Sequence, residues 1–269
     1  MNVLVCVKQV PDTTEIRIDP VTNTLIRSGV PSIVNPFDGY ALEAAARIKD
    51  RDPDAKIVVL SMGPEQAKAA LKECLSIAAD KAYLVSDRAF GGSDTLATSY
   101  ILSETIRKVE ELEGRFDAIF CGKQAIDGDT AQVGPQIAEK LHLPQVTYAA
   151  DIQKDGNTIT VKRMLEDGYM TIKVKTPCLI TCIKELNEPR YMSVGGVFEA
   201  YSKSMTTYDY EALKDDPLID ATTIGLKGSP TNIFKSFTPP QKGAGMMLEG
   251  ADKATCEKLA DILAKKHII

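Results

Sequence analysis

Residues 122–135 hold the combination of residue types in this chain that is best suited to binding a phosphate. The segment begins Gly122-Lys-Gln-Ala-Ile-Asp127, follows a short apolar strand and leads into a helix predicted over 131–141. A glycine-containing loop between a strand and a helix directs several unpaired backbone N–H groups at one point. The positive end of the helix dipole lies at the same point, so an anion binds there readily. We therefore expect either a phosphate site built from backbone amides or an ordinary strand-to-helix turn.

The sequence of this loop excludes the common phosphate-binding motifs and leaves the roles of its charged side chains open. No Lys-Ser/Thr follows a glycine as in a Walker A motif, and no GxGxxG follows a strand. Lys123 is a candidate supporting cation. Asp127 and Asp129 would repel a phosphate at close range, so we expect them to cap the loop, to hold a ribose hydroxyl or to turn outward.

Two further polar loops lead into predicted helices. In Asn35-Pro-Phe-Asp38, Pro36 favours extended geometry at Asn35, where the backbone can hydrogen-bond an adenine edge. The alternative is a stiff turn with Asp38 as the N-cap of a helix. Gly91-Gly-Ser-Asp-Thr95 allows close approach of the backbone to a ligand and offers hydroxyl donors, although similar sequences occur in linkers.

Alternating strands and helices position these loops. Four apolar runs predict parallel strands that are buried on both faces, at 3–7, 57–61, 82–85 and 118–121. A predicted helix follows each of them, at 40–49, 66–78, 95–113 and 131–141. This alternation predicts an α/β fold with a doubly wound, mostly parallel, Rossmann-like sheet. Ligands of such sheets bind beyond the carboxyl ends of the strands, and all the polar loops lie at that edge.

The later part of the chain follows other patterns. Period-two alternation around Asp-Gly turns predicts antiparallel edge hairpins between 152 and 174, and a small hairpin is expected at 15–27. We expect residues 1–190 to form the α/β nucleotide-binding domain. Residues 191–269 are predicted to be an extended arm that ends in an amphipathic helix. Since this arm has little core of its own, we expect it to lie on another protein.

Composition excludes several classes of function. The 269 residues carry a net charge of −5, without the surplus of Lys and Arg that nucleic-acid binding needs. No apolar run approaches the roughly 18 residues of a membrane span, and the N-terminus lacks the basic leader of a signal peptide, so we expect a cytoplasmic protein. The six cysteines have no zinc-site spacing, and the two histidines indicate no hydrolase triad. We expect no metal and no catalytic residue, so redox chemistry would need a cofactor.

Several segments in order resemble the beta subunit of electron-transfer flavoprotein, over essentially the whole chain. The most specific are Gly122-Lys-Gln-Ala-Ile-Asp127 and Asn187-Glu-Pro-Arg-Tyr191. The others are Val3-Leu-Val-Cys-Val-Lys8, Asn35-Pro-Phe-Asp38, Ser61-Met-Gly-Pro64, residues 163–168 and residues 177–181. The resemblance implies a heterodimer in which the alpha subunit, wrapped by the C-terminal arm, holds a FAD and the beta subunit holds an adenine nucleotide.

The resemblance also implies which residues contact the nucleotide and which contact a partner. The segment after Arg190 would dock an acyl-CoA dehydrogenase, with Tyr191 and Val194 in the matching places. Gly195 and Gly196 imply that this docking loop is more flexible than in the members of the family that serve respiration. The nucleotide-contacting positions match Cys6, Asn35, Pro36, Phe37, Asp38, Met62, Gly122, Lys123, Gln124, Ala125, Ile126, Asp127, Gly128, Asp129, Thr130, Ala131, Gln132 and Val133.

Two branches of this family differ in the nucleotide of the beta subunit. In the respiratory branch it is a structural AMP, and electrons pass between an acyl-CoA dehydrogenase and an acceptor. In an anaerobic branch it is a second FAD that takes hydride from NADH. That FAD bifurcates the electron pair to ferredoxin or flavodoxin and, through the alpha FAD, to an acyl-CoA dehydrogenase. Gly128 and Val133 favour the anaerobic branch, so we expect FAD at this site, with AMP as the alternative.

The position of the flavin ring also follows from the resemblance. Phe90-Gly-Gly-Ser-Asp-Thr95 is similar to the loop that meets the ring in the anaerobic branch. We therefore expect the ADP half of FAD on the Gly122 loop and the ring near Ser93, Asp94 and Thr95.

Overall fold

The computed structural model describes residues 1–12, 31–216, 219–231, 234 and 243–269. The hairpin predicted at 15–27 lies outside these residues. Within them, the apolar runs form the predicted strands to within about a residue at each end. The strands are β1 Asn2–Cys6, β2 Gln9–Pro11, β3 Ser32–Val34, β4 Lys56–Met62, β5 Lys81–Val85, β6 Ala118–Gly122, β7 Gln145–Asp155, β8 Thr158–Met164, β9 Tyr169–Lys175, β10 Cys178–Cys182 and β11 Met205–Tyr208.

The helices begin and end where local chemistry dictates. Asp94 caps the third helix through a hydrogen bond from the backbone N–H of Ala97. The fourth helix begins two residues later than predicted, because Ala131 has a left-handed φ of 53° that a helix cannot contain. The helices are α1 Pro36–Arg51, α2 Lys68–Ile77, α3 Thr95–Glu113, α4 Val133–Lys140, α5 Val194–Ala200, α6 Tyr210–Leu213 and α7 Lys253–Lys265.

The main sheet has nine strands in the order β11-β5-β4-β1-β6-β10-β7-β8-β9. From β11 to β7 every neighbouring pair is parallel, which confirms the predicted doubly wound sheet. The chain moves from β1 through β4 to β5 in one direction, and β6 lies on the other side of β1. The order therefore reverses between β1 and β6, where such sheets bind ligands.

Helices cover both faces of this sheet. On one face, Leu42 of α1 and Leu71 of α2 pack against Val5 and other residues of β1, β4 and β10. On the other face, Ile106 of α3 and Ile137 of α4 pack with the opposite side chains of the same strands. Because each strand is buried on both sides, its sequence is continuously apolar.

Antiparallel strands extend the sheet at one edge, as predicted. β8 pairs with β7 and with β9 in antiparallel register. The register of β7 shifts at Ala149 against β8, and also between Ile180 and Cys182 against β10. These irregularities twist the strand locally at the edge that carries the ligand loops.

The C-terminal part differs from a uniformly extended arm. β11 pairs in parallel with β5, and α5 packs on α2, so these residues belong to the α/β unit. By its contacts the chain divides into two compact units, Met1–Asn232 and Ile233–Ile269. In the second unit, Asp252 caps α7, none of whose residues is buried. No helix in the described ranges is long and apolar enough to cross a bilayer.

Candidate functional site

The carboxyl ends of β1, β4 and β6 bring three of the predicted site segments together. In the register of the sheet, Cys6 lies between Leu60 of β4 and Cys121 of β6. Cys6 is partly buried and its thiol hydrogen-bonds that of Cys121; this contact and burial raise the pKa of the Cys121 thiol. The loops that follow β1 and β6 therefore start side by side at the point where the strand order reverses.

Asp38 joins these two strand ends. One carboxylate oxygen accepts a hydrogen bond from the N–H of Lys8 at 2.7 Å, and the other accepts from the N–H of Gly122 at 3.1 Å. Asp38 lies in the first turn of α1, and Asn35 is the N-cap residue, so the predicted capping role of Asp38 is wrong. The carboxylate of Asp38 accepts from the N–H groups of Lys8 and Gly122 instead of capping the helix, because these N–H groups would otherwise be buried without a partner.

Burial dominates the chemistry of Asp38. Its side chain is 6% exposed. Burial raises the pKa of Asp38 to about 7, although hydrogen bonds from Asn35, Lys8 and Gly122 act in the opposite direction. Both oxygens accept bonds from the chain itself, which makes Asp38 a positioning residue for the Gly122 loop.

Gly122 is required by this contact. A Cβ atom at that position would lie 2.3 Å from the carboxylate of Asp38 and 2.7 Å from the backbone carbon of Phe37. Glycine therefore permits α1 to start directly against the end of β6.

Asn35 fixes the next part of the loop. It is fully buried, its amide nitrogen donates to the carbonyl of Gln124 at 2.8 Å, and its amide oxygen accepts from the N–H of Ile126 at 3.1 Å. The segments around Asn35 and Gly122, predicted separately from the sequence, thus form one structure.

The two acidic residues of the loop are held by other side chains. The ammonium of Lys8 contacts both carboxylate oxygens of Asp127, at 2.7 and 2.9 Å, and Asp127 is 6% exposed. The carboxylate of Asp129 accepts a hydrogen bond from Gln124 at 2.6 Å. Both carboxylates are therefore engaged within the loop, and Lys8 offsets the charge of Asp127, so the loop fits an anion better than its composition indicates.

The start of α4 provides the anion-binding chemistry. No side chain caps this helix, whose N-terminal N–H groups follow an exposed loop that includes Gly128, Asp129 and Thr130. Asp129 and Ala131 both have a left-handed φ, of 51° and 53°. Such strained conformations persist where the surrounding structure imposes them, commonly at ligand sites. The residues present fit a phosphate held by backbone amides.

The polar side chains of the loop before α3 form hydrogen bonds within the chain. The hydroxyl of Ser93 donates to the carbonyl of Phe90 and accepts from the N–H of Gly225. Asp94 caps α3 and also accepts from the N–H of Thr231. Thr95 is the member of this group that faces the Gly122 loop, since its hydroxyl lies 3.0 Å from the amide oxygen of Gln132.

A known protein family matches most of the chain. The family is described as electron transfer flavoprotein domain, and it matches residues 22–213. The chain belongs to this family. The family predicted from the sequence motifs is therefore confirmed.

Curated relatives match the chain from end to end. It is 56% identical over 271 residues to "Acryloyl-CoA reductase electron transfer subunit gamma" of Anaerotignum propionicum, covering all of both chains. It is 52% identical over 270 residues to "Caffeyl-CoA reductase-Etf complex subunit CarD" of Acetobacterium woodii, again covering all of both. It is also 52% identical over 269 residues to "Electron transfer flavoprotein subunit beta" of Thermoanaerobacterium thermosaccharolyticum, with the same coverage.

The segment predicted to dock a dehydrogenase is exposed and firmly anchored. Tyr191 is 98% exposed and Val194 is 77% exposed. Just before them, the guanidinium of Arg190 pairs with Glu43 at 2.8 Å and with Asp50 at 2.6 Å, which fixes the segment to α1. The glycines after Val194 form part of helix α5, where a Cβ at Gly196 would lie 2.2 Å from the carbonyl oxygen of Ser76. The expectation of a flexible glycine loop is wrong, because Gly196 permits close helix packing.

Sequence reasoning missed residues that act across the sheet edge. Lys8 neutralises Asp127, and Thr181 accepts a hydrogen bond from the N–H of Tyr148 at 3.1 Å. The position of Lys8, directly after a buried strand that ends at the ligand edge, was the one available signal for its role.

Proposed function

We propose that this chain is the beta subunit of a heterodimeric electron transfer flavoprotein, and that it binds FAD. When bound, this FAD would supply the chemistry for taking hydride from NADH and passing the electrons to ferredoxin or flavodoxin and, through a FAD of the alpha subunit, to an acyl-CoA dehydrogenase. The observation that carries the proposal is the uncapped start of α4 beside the Gly122 loop, in a chain of this family. The ring would lie near Ser93, Asp94 and Thr95.

The residues of the chain contribute binding and orientation. Backbone amides at the start of α4 would hold the diphosphate, and the contacts of Asn35 and Asp38 keep the loop in place. Cys6, Met62 and the exposed residues from Ile126 to Gln132 border the same edge. Bound FAD supplies the redox chemistry, which the side chains of this site do not provide.

The names of the relatives support the assignment of partners. One belongs to an acryloyl-CoA reductase and another to a caffeyl-CoA reductase complex. By analogy, the dehydrogenase partner of this chain acts on an acyl-CoA and docks at Tyr191 and Val194. We further propose that the C-terminal arm, residues 191–269 with its terminal helix α7, wraps the alpha subunit.

AMP is the alternative ligand, because a phosphate held by backbone amides is common to both nucleotides. Co-purification of the chain with its alpha subunit, followed by denaturation and chromatography of the released cofactors, distinguishes them. Two FAD per heterodimer support bifurcation. One FAD and one AMP would instead make the site a structural one, and a site without nucleotide would refute the proposal.

A further inference from the structure

A pair of cations shares one aromatic ring beside the Gly122 loop. The ammonium of Lys123 lies 5.5 Å from the centre of the Tyr148 ring, and the guanidinium carbon of Arg163 lies 5.9 Å from the same centre. The ammonium is also 5.9 Å from the centre of the Phe37 ring. Phe37 belongs to α1, so this cluster lies on the face of the sheet opposite α4.

Within the described part of the chain, no carboxylate forms an ion pair with either cation of this cluster, Lys123 or Arg163. The Nε of Arg163 is buried and has no hydrogen-bond acceptor. The acids of the next turn, Glu166 and Asp167, are exposed. Two cations that contact the same ring, one of them with an unused buried donor, are suited to a bound anion.

The backbone is strained to keep this arrangement. Tyr148 has a left-handed φ of 58°, which is unfavourable for a bulky aromatic residue. Its N–H is held by the hydroxyl of Thr181, at the point where β7 slips out of register with its neighbours. The ring held by this backbone lies within reach of both cations, 5.5 Å from the ammonium of Lys123 and 5.9 Å from the guanidinium carbon of Arg163, and strain of this kind accompanies ligand sites.

We infer that Lys123, Tyr148 and Arg163 form a subsite for a phosphate group of NADH. A planar guanidinium and an ammonium match phosphate, and the rings of Phe37 and Tyr148 offer flat surfaces for a base. The inference rests on the proposed function, which leaves the docking position of NADH undefined. The phosphate could also belong to the resident nucleotide, since Lys123 directly follows Gly122.

The test uses the purified heterodimer with its cofactors, and the variants Arg163→Gln and Lys123→Gln. Lys162→Gln is the matched control, because Lys162 is adjacent in the same strand and its ammonium instead lies 4.0 Å from the centre of the Tyr169 ring. Three quantities are measured: the resident nucleotide content, the KM and kcat for NADH with an artificial electron acceptor, and the Kd of ADP-ribose by calorimetry. ADP-ribose carries the diphosphate and cannot be oxidised as NADH is, so it reports binding without turnover.

Each of the two variants should raise the KM for NADH and the Kd of ADP-ribose by about tenfold to a hundredfold, the range for one charge-assisted hydrogen bond. For Arg163→Gln, cofactor content and kcat should stay near those of the control. Unchanged KM and Kd would overturn the subsite while leaving the proposed function intact. Loss of resident nucleotide with an unchanged KM would assign the cations to that nucleotide and overturn the NADH assignment. An unmodified heterodimer that does not oxidise NADH would refute the proposed donor itself.

Discussion

Replacing Gly122 with alanine tests whether close packing at the end of β6 builds the site. The added Cβ would lie 2.3 Å from the carboxylate of Asp38 and 2.7 Å from two atoms of Phe37. Neither neighbour is the free end of a flexible side chain, since Asp38 is buried in the first turn of α1. Either α1 or the loop must therefore move.

The size of the effect follows from two contributions. Overpacking of a dense interior costs about 1–3 kcal/mol. Displacement of Asp38 also removes its hydrogen bond from the N–H of Gly122, and a bond to a charged group contributes about 1.5–3 kcal/mol. The free energy of unfolding should fall by about 2.5–6 kcal/mol, which corresponds to a Tm decrease of about 5–20 °C for a chain of this size.

Gly128→Ala is the control for this substitution. Gly128 lies in the same loop, and a Cβ there would meet no atom within 4 Å. Thermal unfolding of the heterodimer and the nucleotide content after gel filtration should separate the two variants. The reasoning is refuted if Gly122→Ala keeps the Tm and the nucleotide content of Gly128→Ala.

Three further outcomes test other parts of the molecule. Burial raises the pKa of Asp38 from 3.8 to about 7, so the protonated form of Asp38 stabilises the fold at low pH. This stabilisation, up to about 4 kcal/mol, is lost as the pH rises from about 4 through 7. Urea unfolding of the unmodified chain and of Asp38→Asn, measured across this pH range, should show that loss as a change in the difference between their free energies of unfolding. A difference that stays constant with pH would contradict the prediction. Burial alone would raise the pKa of Glu113, but hydrogen bonds from Lys56, Tyr83 and Lys81 lower it to about 2. Glu113→Gln should therefore destabilise the fold by about 2–3 kcal/mol at pH 7 and by less near pH 3. Equal losses of stability at both pH values would count against this prediction. Gly196→Ala should detach α5 from Ser76 and speed proteolysis of α5. Gly195→Ala should not, because a Cβ at Gly195 has its nearest neighbour at 4.0 Å. Equal cleavage rates of the two variants would reject the packing role of Gly196.

Much of the fold could be predicted because burial on both faces leaves a local signature. β6 and α3 appear at the expected residues, since one is continuously apolar and the other has Asp94 as its cap. β11 carries no such signature. Two of its four residues are exposed, and its place in the sheet depends on pairing with β5, which is far away in the sequence.

The parts of the candidate site that could not be predicted depend on distant contacts. The role of Asp38 is set by Lys8 and Gly122, which are 30 and 84 residues away. In the local sequence, an aspartate before a helix is typical of an N-cap, so the local pattern wrongly predicted that Asp38 caps α1. The left-handed backbone of Tyr148 likewise depends on Thr181, a residue of another strand.

The ion pair between Lys8 and Asp127 connects residues that are 119 positions apart. Contacts between such distant segments form slowly, because a long stretch of chain must first be ordered. The ligand edge of the central strands therefore cannot be completed before the chain has been synthesised beyond Asp127. A ligand that binds only the completed edge adds its binding free energy to the stability of the folded unit, so a bound nucleotide, if the proposed site holds one, protects the chain from proteolysis.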